Sequence, residues 1–552
     1  MKNEPGTWSF DSPLSTAATG ESPEELFNRA AGLHQSGQLE LAEPLYRELL
    51  ALQPEHGDAL HLLGVLRYQQ RDPAAAVPLI EAALKIIPKN AVAWTGLGLA
   101  LLKLDRIQEA LDNFDRALTL QPNHADTLTR RGDALLNLGR LPEALASYNR
   151  SLRYRPNDPE TLNSRAAILI NLNRLGEALT SLDQALHLAP TYVEALNNRA
   201  TALIALKRHA EALSSCDQAL ALQPDAAELL NNRGVALRNL NRKDEAIAAF
   251  RAALAGQADS ADFHLNLGAT LQETGQLEAA EQHLRLALAV KPAALIFQNL
   301  AAVLYQRRKF PEAMEIYRQW QAFEPDNPVP RHMAAVGSET APVRADDQYV
   351  AKLFDNFADT FDTTLLGLGY QTPQLLTNMI KTERSTDTTP LRILDAGCGT
   401  GLAAPLLKPL ASQLVGVDLS SGMLDKARAR KLYDELVVGE LCAFMASRPA
   451  AFELVLLADT LVYFGALEEA FRTAHGTLTP GGIFAFVVES RPDSGPDYQL
   501  ELHGRYSHRP DYVTRLLAAS GYKLCSTEVV VLRRELNTDV AGIAVVARRN
   551  PG

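Results

Sequence analysis

Cysteine is scarce in this sequence: its 552 residues contain four, which stand far apart and form no C-x-x-C pair. Cysteines spaced in this way indicate neither a disulfide framework nor a zinc site. They fit a reducing compartment, so we expect a cytoplasmic protein. Long apolar runs are also missing. No stretch approaches the roughly 20 residues of a membrane span, and the polar first residues are not typical of a signal peptide.

Clusters of one charge sign are missing as well. The chain has 54 lysines and arginines against 65 aspartates and glutamates, a formal net charge of −11, and no basic run. This balance argues against nucleic acid as the main partner. No group of His, Asp and Glu has the spacing of a metal site, so we expect no metal. With 47% hydrophobic and 22% charged residues, the chain is typical of a soluble globular protein.

A period of 34 residues organises the first part of the chain. Residues 1–22 are polar and rich in Ser, Thr, Pro and Gly, which predicts disorder. After them the prolines recur with this period, at Pro54, Pro88, Pro122, Pro156, Pro190, Pro224 and Pro292, with Pro325 one residue early. One small-residue register holds Ala30, Gly64, Gly98, Gly132, Ala166, Ala200, Gly234, Gly268 and Ala301. A second holds Ala42, Ala76, Ala110, Ala144, Ala178, Ala212, Ala246, Ala280 and Ala313.

This pattern resembles the tetratricopeptide repeat (TPR), in which small residues let two helices approach and a proline ends the second helix. The resemblance covers residues 23–327 and implies nine repeats. A TPR array is an α-solenoid, a superhelix with a concave face that binds protein or peptide partners. We therefore expect a peptide or protein partner on that face.

Asparagine recurs two residues before the first small register, at Asn198, Asn232, Asn266 and Asn299. Asparagine inside a helix costs several tenths of a kcal/mol relative to alanine, so its repetition asks for a reason. One explanation is a solvated helix face inherited by duplication of the repeat. The other is suggested by a resemblance to the asparagine ladder of the O-GlcNAc transferase superhelix, whose amides hold a partner's extended backbone. Both explanations remain open, and the second makes these four asparagines partner-binding residues.

A glycine turn marks the second part of the chain. Leu391–Ala396 predicts a buried strand that runs into Gly397, Gly399 and Gly401, after which a helix begins. A second apolar strand ends at Asp418, just over 20 residues past the turn, where a carboxylate can bind a ribose diol. Three interpretations compete: a structural turn, a dinucleotide site, and a site for S-adenosylmethionine (SAM). The spacing G-x-G-x-G, rather than G-x-G-x-x-G, argues against a dinucleotide.

The segments Asp395–Gly401 and Val417–Ser420 resemble motif I and the acidic second strand of class I SAM-dependent methyltransferases. The resemblance implies SAM as cofactor and a Rossmann-like α/β domain over residues 346–552, after a linker over 328–345. That fold has a mostly parallel seven-stranded sheet, and we expect strands near 391–396, 413–418, 436–438, 453–457, 482–488, 523–532 and 540–547.

The same resemblance assigns cofactor contacts. The helix with Phe357 and Phe361 matches a lid that covers the SAM site in small-molecule methyltransferases, although aromatic residues at helical spacing more often form core. Glu440 takes the place of the acid that meets the adenine amino group. The predicted cofactor residues are Phe357, Phe361, Asp395, Gly397, Cys398, Gly399, Gly401, Asp418, Leu419, Met423, Glu440 and Asp459.

The part of the site that binds the methyl acceptor is predicted to involve the segment after the fifth strand. His503, Arg505, Tyr506 and His508 follow that strand, and ligands in this fold meet at the carboxyl ends of strands. His503, His508 and Tyr506 are the candidate catalytic residues, since an imidazole can take a proton near neutral pH, and Asp459 or Tyr463 is an alternative source of a base. The segment could equally be an ordinary surface loop.

Two classes of function follow. In the first, the repeats deliver a peptide or protein to a SAM-dependent methyltransferase. In the second, the enzyme methylates a small molecule and the repeats only dock it to a partner complex. A scaffold that binds SAM without turnover is a third possibility. The loop at Asp459 lacks the [DN]-P-P-[YF] motif of amino methyltransferases that act on DNA bases or glutamine.

Overall fold

The computed structural model describes residues 21–336, 341–368, 370–385, 387–492, 494–535 and 538–551. The chain divides into two compact units, residues 1–270 and 271–552. Most of the segment predicted to be disordered, residues 1–20, lies outside the described residues. Its last residue, Ser22, caps the first helix: Ser22 Oγ accepts from the Glu25 N–H, and the Glu25 carboxylate accepts from the Ser22 N–H at 2.7 Å.

Eighteen helices of nearly equal length follow one another over residues 23–323 of the described chain, as nine pairs of 13 and 14 residues. In order they are α1 Pro23–Gln35, α2 Leu39–Leu52, α3 Gly57–Gln69, α4 Pro73–Ile86, α5 Ala91–Lys103, α6 Ile107–Leu120, α7 Ala125–Asn137, α8 Leu141–Tyr154, α9 Pro159–Asn171, α10 Leu175–Leu188, α11 Val193–Ala205, α12 His209–Leu222, α13 Ala227–Asn239, α14 Lys243–Gly256, α15 Ala261–Glu273, α16 Leu277–Val290, α17 Ala294–Gln306 and α18 Phe310–Phe323. These pairs confirm the predicted α-solenoid.

The link between the two helices of each pair contains one residue with a left-handed backbone. These residues are Gly37, Arg71, Asp105, Gly139, Asn173, Lys207, Asn241, Gly275 and Arg308. Only some of them are glycine or asparagine, the residue types that favour this conformation. The sequence pattern therefore missed a feature that the structure repeats in every pair.

The first small-residue register matches the size of the side chain that faces it. A Cβ on Gly98, Gly132 or Gly234 would lie 2.5 Å from the ring of Phe114, Tyr148 or Phe250, respectively. Two of the four repeats with alanine in that register, those with Ala166 and Ala200, have Leu182 and Cys216 at the position of the ring. All of these facing side chains are fully buried. Small and large residues thus compensate in these five helix pairs, which is how the pattern contributes to the packing.

Gly234→Ala is expected to destabilise the first compact unit by about 1–3 kcal/mol, because the added methyl overlaps the Phe250 ring. The double variant Gly234→Ala with Phe250→Leu reproduces the Ala166–Leu182 pair and should recover part of that loss. Urea denaturation followed by circular dichroism measures both. Equal stability of Gly234→Ala and the parent would contradict this account of the register.

The second compact unit contains the α/β part of the chain. Its remaining helices are α19 Pro328–Ala334, α20 Asp347–Phe357, α21 Phe361–Gly367, α22 Thr372–Glu383, α23 Ala404–Leu407, α24 Ser421–Arg430, α25 Leu441–Ala446, α26 Glu468–Thr477 and α27 Pro510–Ala519. Its strands are β1 Leu391–Ala396, β2 Ala411–Asp418, β3 Glu435–Val438, β4 Phe452–Leu457, β5 Leu478–Ser490, β6 Tyr498–Leu500, β7 Tyr506–His508, β8 Tyr522–Glu535 and β9 Thr538–Arg549.

The sheet has the order β3-β2-β1-β4-β5-β7-β6, with β9 paired to both β5 and β8. Strands β1 to β5 pair with one another in parallel, and β9 runs antiparallel to β5. This arrangement confirms the Rossmann-like class and all seven predicted strands. It differs from the prediction by two more described strands, β6 and β7, which form a hairpin at the end of β5. Each has three residues, too few for a periodic pattern.

The predicted linker, 328–345, is structured where it is described. Its first part is the helix α19, whose His332 Nε2 lies 2.9 Å from the Gly504 carbonyl oxygen and whose imidazole stacks on Tyr349. Its last residues run beside the loop after β4, and the Ala345 N–H donates to the Tyr463 carbonyl at 2.8 Å. The linker therefore packs onto the α/β fold as part of the second unit.

Candidate functional site

A cavity of about 400 Å³ opens at the carboxyl ends of β1, β2 and β4. Ligands of open parallel sheets bind at this edge, where the strand order reverses. Its wall is mainly apolar and aromatic, with acids and arginines at a few positions. It is lined by Val350, Leu353, Phe354, Phe357, Phe361, Thr364, Leu365, Leu368, Tyr370, Gly397, Gly399, Val417, Asp418, Leu419, Gly439, Leu441, Ala458, Asp459, Thr460, Val462, Tyr463, Arg505, Leu532, Arg533 and Arg534.

The glycine turn forms the floor of this cavity. Gly399 has φ +54°, and a Cβ there would meet nothing nearer than the Phe361 ring at 4.0 Å. A ligand can therefore approach the backbone of Gly399 closely. Gly397 has φ +78°, and a Cβ there would lie 2.4 Å from Thr460 Oγ1, so no larger residue fits. Gly397 is therefore required by its packing against Thr460, whereas Gly399 leaves open space in the cavity.

Asp418 connects the turn to the end of β2. Its Oδ2 accepts from the Gly399 N–H and its Oδ1 from the Ser420 N–H, both at 2.9 Å. A carboxylate has about four lone-pair directions, so two remain for a ligand. Burial raises the pKa of Asp418, and the backbone N–H groups of Ser420 and Gly399 oppose that rise. The arrangement fits a pair of hydroxyls that donate to one carboxylate.

Five predicted cofactor residues lie beside the cavity rather than in its wall. Asp395, which is 2% exposed, accepts from the Tyr433 hydroxyl at 2.6 Å, and burial raises its pKa to about 7. Cys398 is buried, and burial raises its pKa also. Gly401 has φ +80° and packs against the Tyr433 ring, where a Cβ would lie at 2.9 Å. These three residues support the turn from behind.

Met423 and Glu440 complete this set. Met423 is fully buried. Glu440 caps α25 by accepting from the Cys442 and Ala443 N–H groups, and Oε1 also lies 3.2 Å from Arg344 Nη1. Both oxygens are engaged, and Glu440 lies outside the described lining of the cavity, so this geometry gives no support to an adenine contact through Glu440. The flanking residues, Gly439 and Leu441, do line the cavity.

The predicted lid consists of α20 and α21, and acidic side chains attach it to the glycine turn and to α24. Asp355 Oδ1 accepts from Ser420 Oγ at 2.5 Å and from the Gly422 N–H at 3.0 Å. Asp362 accepts from Thr400 Oγ1 and from Arg430, both at 2.5 Å. Phe354, Phe357 and Phe361 of these helices line the cavity with edge-to-face ring contacts. The aromatic pattern therefore belongs to the cavity wall.

The opposite wall carries the polar group that follows β4. Asp459 has φ +60°, its Oδ2 accepts from Thr372 Oγ1 at 3.3 Å, and its Oδ1 is buried without a hydrogen-bond partner among the described residues. Arg505, from the turn between β6 and β7, and Arg533, from the end of β8, also line this wall. Arg533 pairs with the buried Glu489 at 2.7 Å. Sequence reasoning missed Arg533 because nothing local indicates that β8 ends at the cavity.

The three candidate catalytic residues lie outside the described lining of the cavity. His508 has no exposed surface, its Nε2 lies 2.8 Å from the Phe464 carbonyl oxygen, and burial lowers its pKa to about 4. Tyr506 is fully buried and donates to the Pro342 carbonyl at 2.6 Å. His503 Nε2 lies 2.9 Å from Glu489 Oε1. These positions give no support to His508 or Tyr506 as a base, because neither side chain can reach an acceptor.

The asparagines of the repeats form cross-repeat hydrogen bonds. In the first compact unit, each Nδ2 group donates to the Oδ1 of an asparagine one residue earlier in the preceding repeat. The pairs are Asn198–Asn163 at 2.8 Å, Asn232–Asn197 at 2.8 Å and Asn266–Asn231 at 2.9 Å. Asn299, in the second unit, donates instead to the Leu295 carbonyl of its own helix at 2.7 Å. Three of the four asparagines therefore link neighbouring repeats.

Asn232→Ala is expected to lower the free energy of unfolding by about 1 kcal/mol, because it removes the bond to the half-buried Asn197. Asn299→Ala is the matched control. It loses only a bond within its own helix and gains helix propensity, so its stability should change by a few tenths of a kcal/mol. Thermal denaturation of the full chain compares them. Equal effects of the two substitutions would contradict a structural role for the cross-repeat bonds.

Metal and membrane sites were both expected to be absent. Within the residues that the structure describes, no group of three or more His, Cys, Asp or Glu is placed to hold a metal ion. In the same ranges, no helix has both the length and the apolar character that crossing a membrane requires.

Family models match both parts of the chain. A model described as a methyltransferase domain matches residues 394–486. A tetratricopeptide repeat model matches residues 95–159, 164–227, 212–263, 231–294 and 265–328. A model described as anaphase-promoting complex, cyclosome, subunit 3, matches residues 35–117. The chain therefore combines tetratricopeptide repeats with a C-terminal methyltransferase domain.

Curated relatives match the methyltransferase part. Human methyltransferase-like protein 27 is 34% identical over 142 residues, 25% of this chain and 56% of that protein. A malonyl-[acyl-carrier protein] O-methyltransferase of Methylovorus sp. (strain MP688) is 27% identical over 179 residues, 31% of this chain and 57% of that protein. A ubiquinone biosynthesis O-methyltransferase of Chelativorans sp. (strain BNC1) is 26% identical over 147 residues, 24% of this chain and 58% of that protein. The chain spans about half the length of these relatives.

Solved structures match the helical part. The APC/C hetero-tetramer Cut9–Hcn1 is 19% identical, with a TM-score of 0.39, over 51% of this chain and 55% of that chain. The TPR protein YrrB, described as having an unusual peptide-binding site, is 21% identical, with a TM-score of 0.31, over 33% of this chain and 95% of that chain.

Proposed function

We propose that this chain is a SAM-dependent methyltransferase whose repeats recruit a peptide or protein, either as the substrate or as a partner. The observation that carries the SAM assignment is the position of Asp418, which lines the cavity, holds the glycine turn and retains acceptor capacity for a ribose diol. The open space over Gly399 supports the same assignment, because the methionine part of a ligand can lie against that backbone.

In this proposal Asp418 binds the ribose hydroxyls, and Leu419 and Leu441 flank the adenine. Phe357 and Phe361 close the site from the lid and exclude water. SAM, when bound, supplies a methyl group on a sulfonium that is already a strong electrophile. The chain's own task is therefore to align the acceptor behind that methyl and to keep the cavity dry.

The repeats supply the recruiting surface in this proposal. Repeats of this kind are elongated and bury their apolar sides only against neighbouring repeats, which leaves long faces for partners. The amide oxygens of Asn198, Asn232 and Asn266 take no part in the cross-repeat bonds. We propose that they accept hydrogen bonds from the N–H groups of an extended partner backbone.

A second candidate function is methylation of a small molecule, with the repeats used only for docking to a partner complex. The names of two relatives, a malonyl-[acyl-carrier protein] O-methyltransferase and a ubiquinone biosynthesis O-methyltransferase, favour this alternative. Both functions use the same cavity, so they differ in what the repeats contribute to turnover.

Labelling with tritiated SAM separates the two functions. The full chain and a chain of residues 271–552, which is the second compact unit, are incubated with the same cell extract. The chain of residues 271–552 retains α19, which contacts the turn at Gly504. Calorimetry with SAM first checks that the shorter chain retains its site.

Recruitment of the substrate by the repeats predicts label in protein that is lost when residues 1–270 are removed. If the label instead appears in small molecules, and the shorter chain still produces it, recruitment of the substrate by the repeats is contradicted and the second function is favoured. A full-length triple variant, Asn198→Ala, Asn232→Ala and Asn266→Ala, then tests whether the loss depends on the asparagine ladder.

A further inference from the structure

Asp459 was predicted from the sequence as a cofactor residue, but the proposed contacts with SAM leave its buried Oδ1 without a role. Oδ1 has no hydrogen-bond partner among the described residues, although nearly all buried polar atoms in proteins have one. Oδ2 accepts a hydrogen bond from Thr372 Oγ1, and the Tyr370 hydroxyl also interacts with the carboxyl group. The carboxyl group is thus fixed by one oxygen while the other is left for whatever enters the cavity.

The backbone of Asp459 is held in an unusual conformation. Its φ of +60° lies in the left-handed region, which costs a residue other than glycine energy and occurs often at functional sites. The residue follows β4, whereas Asp418 is the last residue of β2, and β1 lies between these strands in the sheet. A cofactor bound on the β1–β2 half therefore leaves the β4–β5 half, with Asp459, for the second substrate.

The charges around Asp459 favour its ionised form over what burial alone would allow. Arg533 and Arg505 lie near it and lower its pKa, and the Tyr370 hydroxyl donates to it. Glu489 pairs with Arg533 at 2.7 Å. Burial is the largest influence and leaves the pKa of Asp459 above that of an ordinary aspartate. A carboxylate tuned in this way is a stronger base than one in water.

We infer that Asp459 is a catalytic residue: Oδ1 accepts the hydrogen of an O–H or N–H methyl acceptor and removes it as a proton during transfer. The acceptor's oxygen or nitrogen forms its new bond to the methyl carbon, and the bond from that carbon to sulfur breaks with its electron pair left on the sulfur. The proton passes to Asp459 Oδ1, which then releases it to solvent when the product leaves. The inference rests on the proposed SAM-dependent activity and assigns the acceptor to the hydroxyl or amine class.

A carboxylate acceptor is the contrary case. It arrives without a proton to give, and beside the ionised Asp459 Oδ1 it would meet a second negative charge in a buried cavity. The two classes of product differ in a measurable way. Methyl esters of carboxylates are cleaved by mild alkali and release volatile methanol, whereas methyl ethers and methylamines are not.

The test combines this difference with one substitution. Asp459→Asn keeps the shape and an acceptor oxygen, and asparagine tolerates the left-handed backbone, so the fold and the SAM site are retained. The amide cannot take a proton. Full-length parent and variant are incubated with tritiated SAM and cell extract, and the label is measured before and after alkali. The parent's label should resist alkali, and Asp459→Asn should reduce labelling by about a hundredfold or more while SAM affinity, measured by calorimetry, stays within a few-fold.

Volatile label released by alkali would overturn the inference, and so would parental labelling by Asp459→Asn. Either result leaves SAM binding intact, so it is distinct from failure of the proposed function, in which the parent itself does not bind SAM. The pH profile supplies a second criterion. Arg505→Gln removes a charge that lowers the pKa of Asp459, so the acidic limb of its rate profile should move to higher pH. If the acidic limb of the pH–rate profile of Arg505→Gln lies at the same pH as that of the parent, Asp459 is not the base.

Discussion

Alanine in place of Asp418 will weaken SAM binding by about 1–3 kcal/mol, or roughly 5- to 150-fold, with little effect on the rest of the fold. The loss has two parts. In the proposed site the ribose hydroxyls lose their acceptor, and the Gly399 N–H, which donates to Asp418 Oδ2 at 2.9 Å, loses the bond that fixes the turn. Asp418→Asn should lose less, since an amide oxygen can still accept.

Asp425→Ala is the control for this experiment. Asp425 lies in α24, only a few residues along the chain from Asp418, but its side chain is 73% exposed and lies outside the described lining of the cavity. It should bind SAM like the parent in isothermal titration calorimetry. Parental affinity in Asp418→Ala, or an equal loss in both variants, would remove Asp418 from the site.

The stability of the second compact unit will fall as the pH rises from about 4 to 7, because of Asp395. Burial raises the pKa of this carboxyl to about 7, against an ordinary value of 3.8. The folded state therefore binds a proton more tightly than the unfolded state. Stability from this group is fully present below about pH 4 and is lost as the pH rises through 7, by on the order of 4 kcal/mol in all.

Asp395→Asn removes this dependence while keeping an oxygen that can accept from the Tyr433 hydroxyl. As the pH rises, the free energy of unfolding of the variant should increase relative to that of the parent. The difference between the two should grow between pH 4 and pH 8. Chemical denaturation at a series of pH values gives both curves, with Asp425→Asn as an exposed control. If the plots of unfolding free energy against pH stay parallel for parent and Asp395→Asn, the buried Asp395 does not bind a proton in the way described.

Much of the fold could be predicted because its signals are local. The 34-residue period of the prolines and small residues depends on the packing of each helix against its neighbour, so Gly98 and Phe114 identify a contact from sequence alone. Each of the seven longer strands contains a short apolar segment, and the predicted bounds differ from the observed ones by a few residues. Asp418 and Gly399, which line the cavity, could be singled out for the same reason, since strand, turn and acid follow one another in sequence.

The acceptor side could not be predicted in the same way, because it is assembled from distant segments. The sequence Glu501–Pro510 contains two histidines, which suggested a polar loop at the site. The structure instead places His508 in the core, where the carbonyls of Phe464 and Gly465 accept its hydrogen bonds. Arg533 reaches the cavity from the end of β8. Only the register of β8 on β9 brings it there, and sequence periodicity does not fix a register between strands.

Glu440 shows a different difficulty, and its contact with adenine stays a prediction. Its position in sequence matches an adenine contact, but an acid just before a helix is also an N-cap, and here it caps α25 and meets Arg344. Local chemistry of this kind competes with ligand binding for the same oxygens. Phe357 and Phe361 show the opposite case. Aromatic residues at helical spacing usually form core, but these two line the cavity.

Calorimetric titration of SAM into the full chain, compared with the same titration of NAD, tests the central claim most directly. Asp418, Gly399 and the lid aromatics all line one cavity, so the account predicts saturable SAM binding at one site per chain and no measurable heat with NAD. NAD binding that is tighter than SAM binding, or no SAM binding at all, would contradict it.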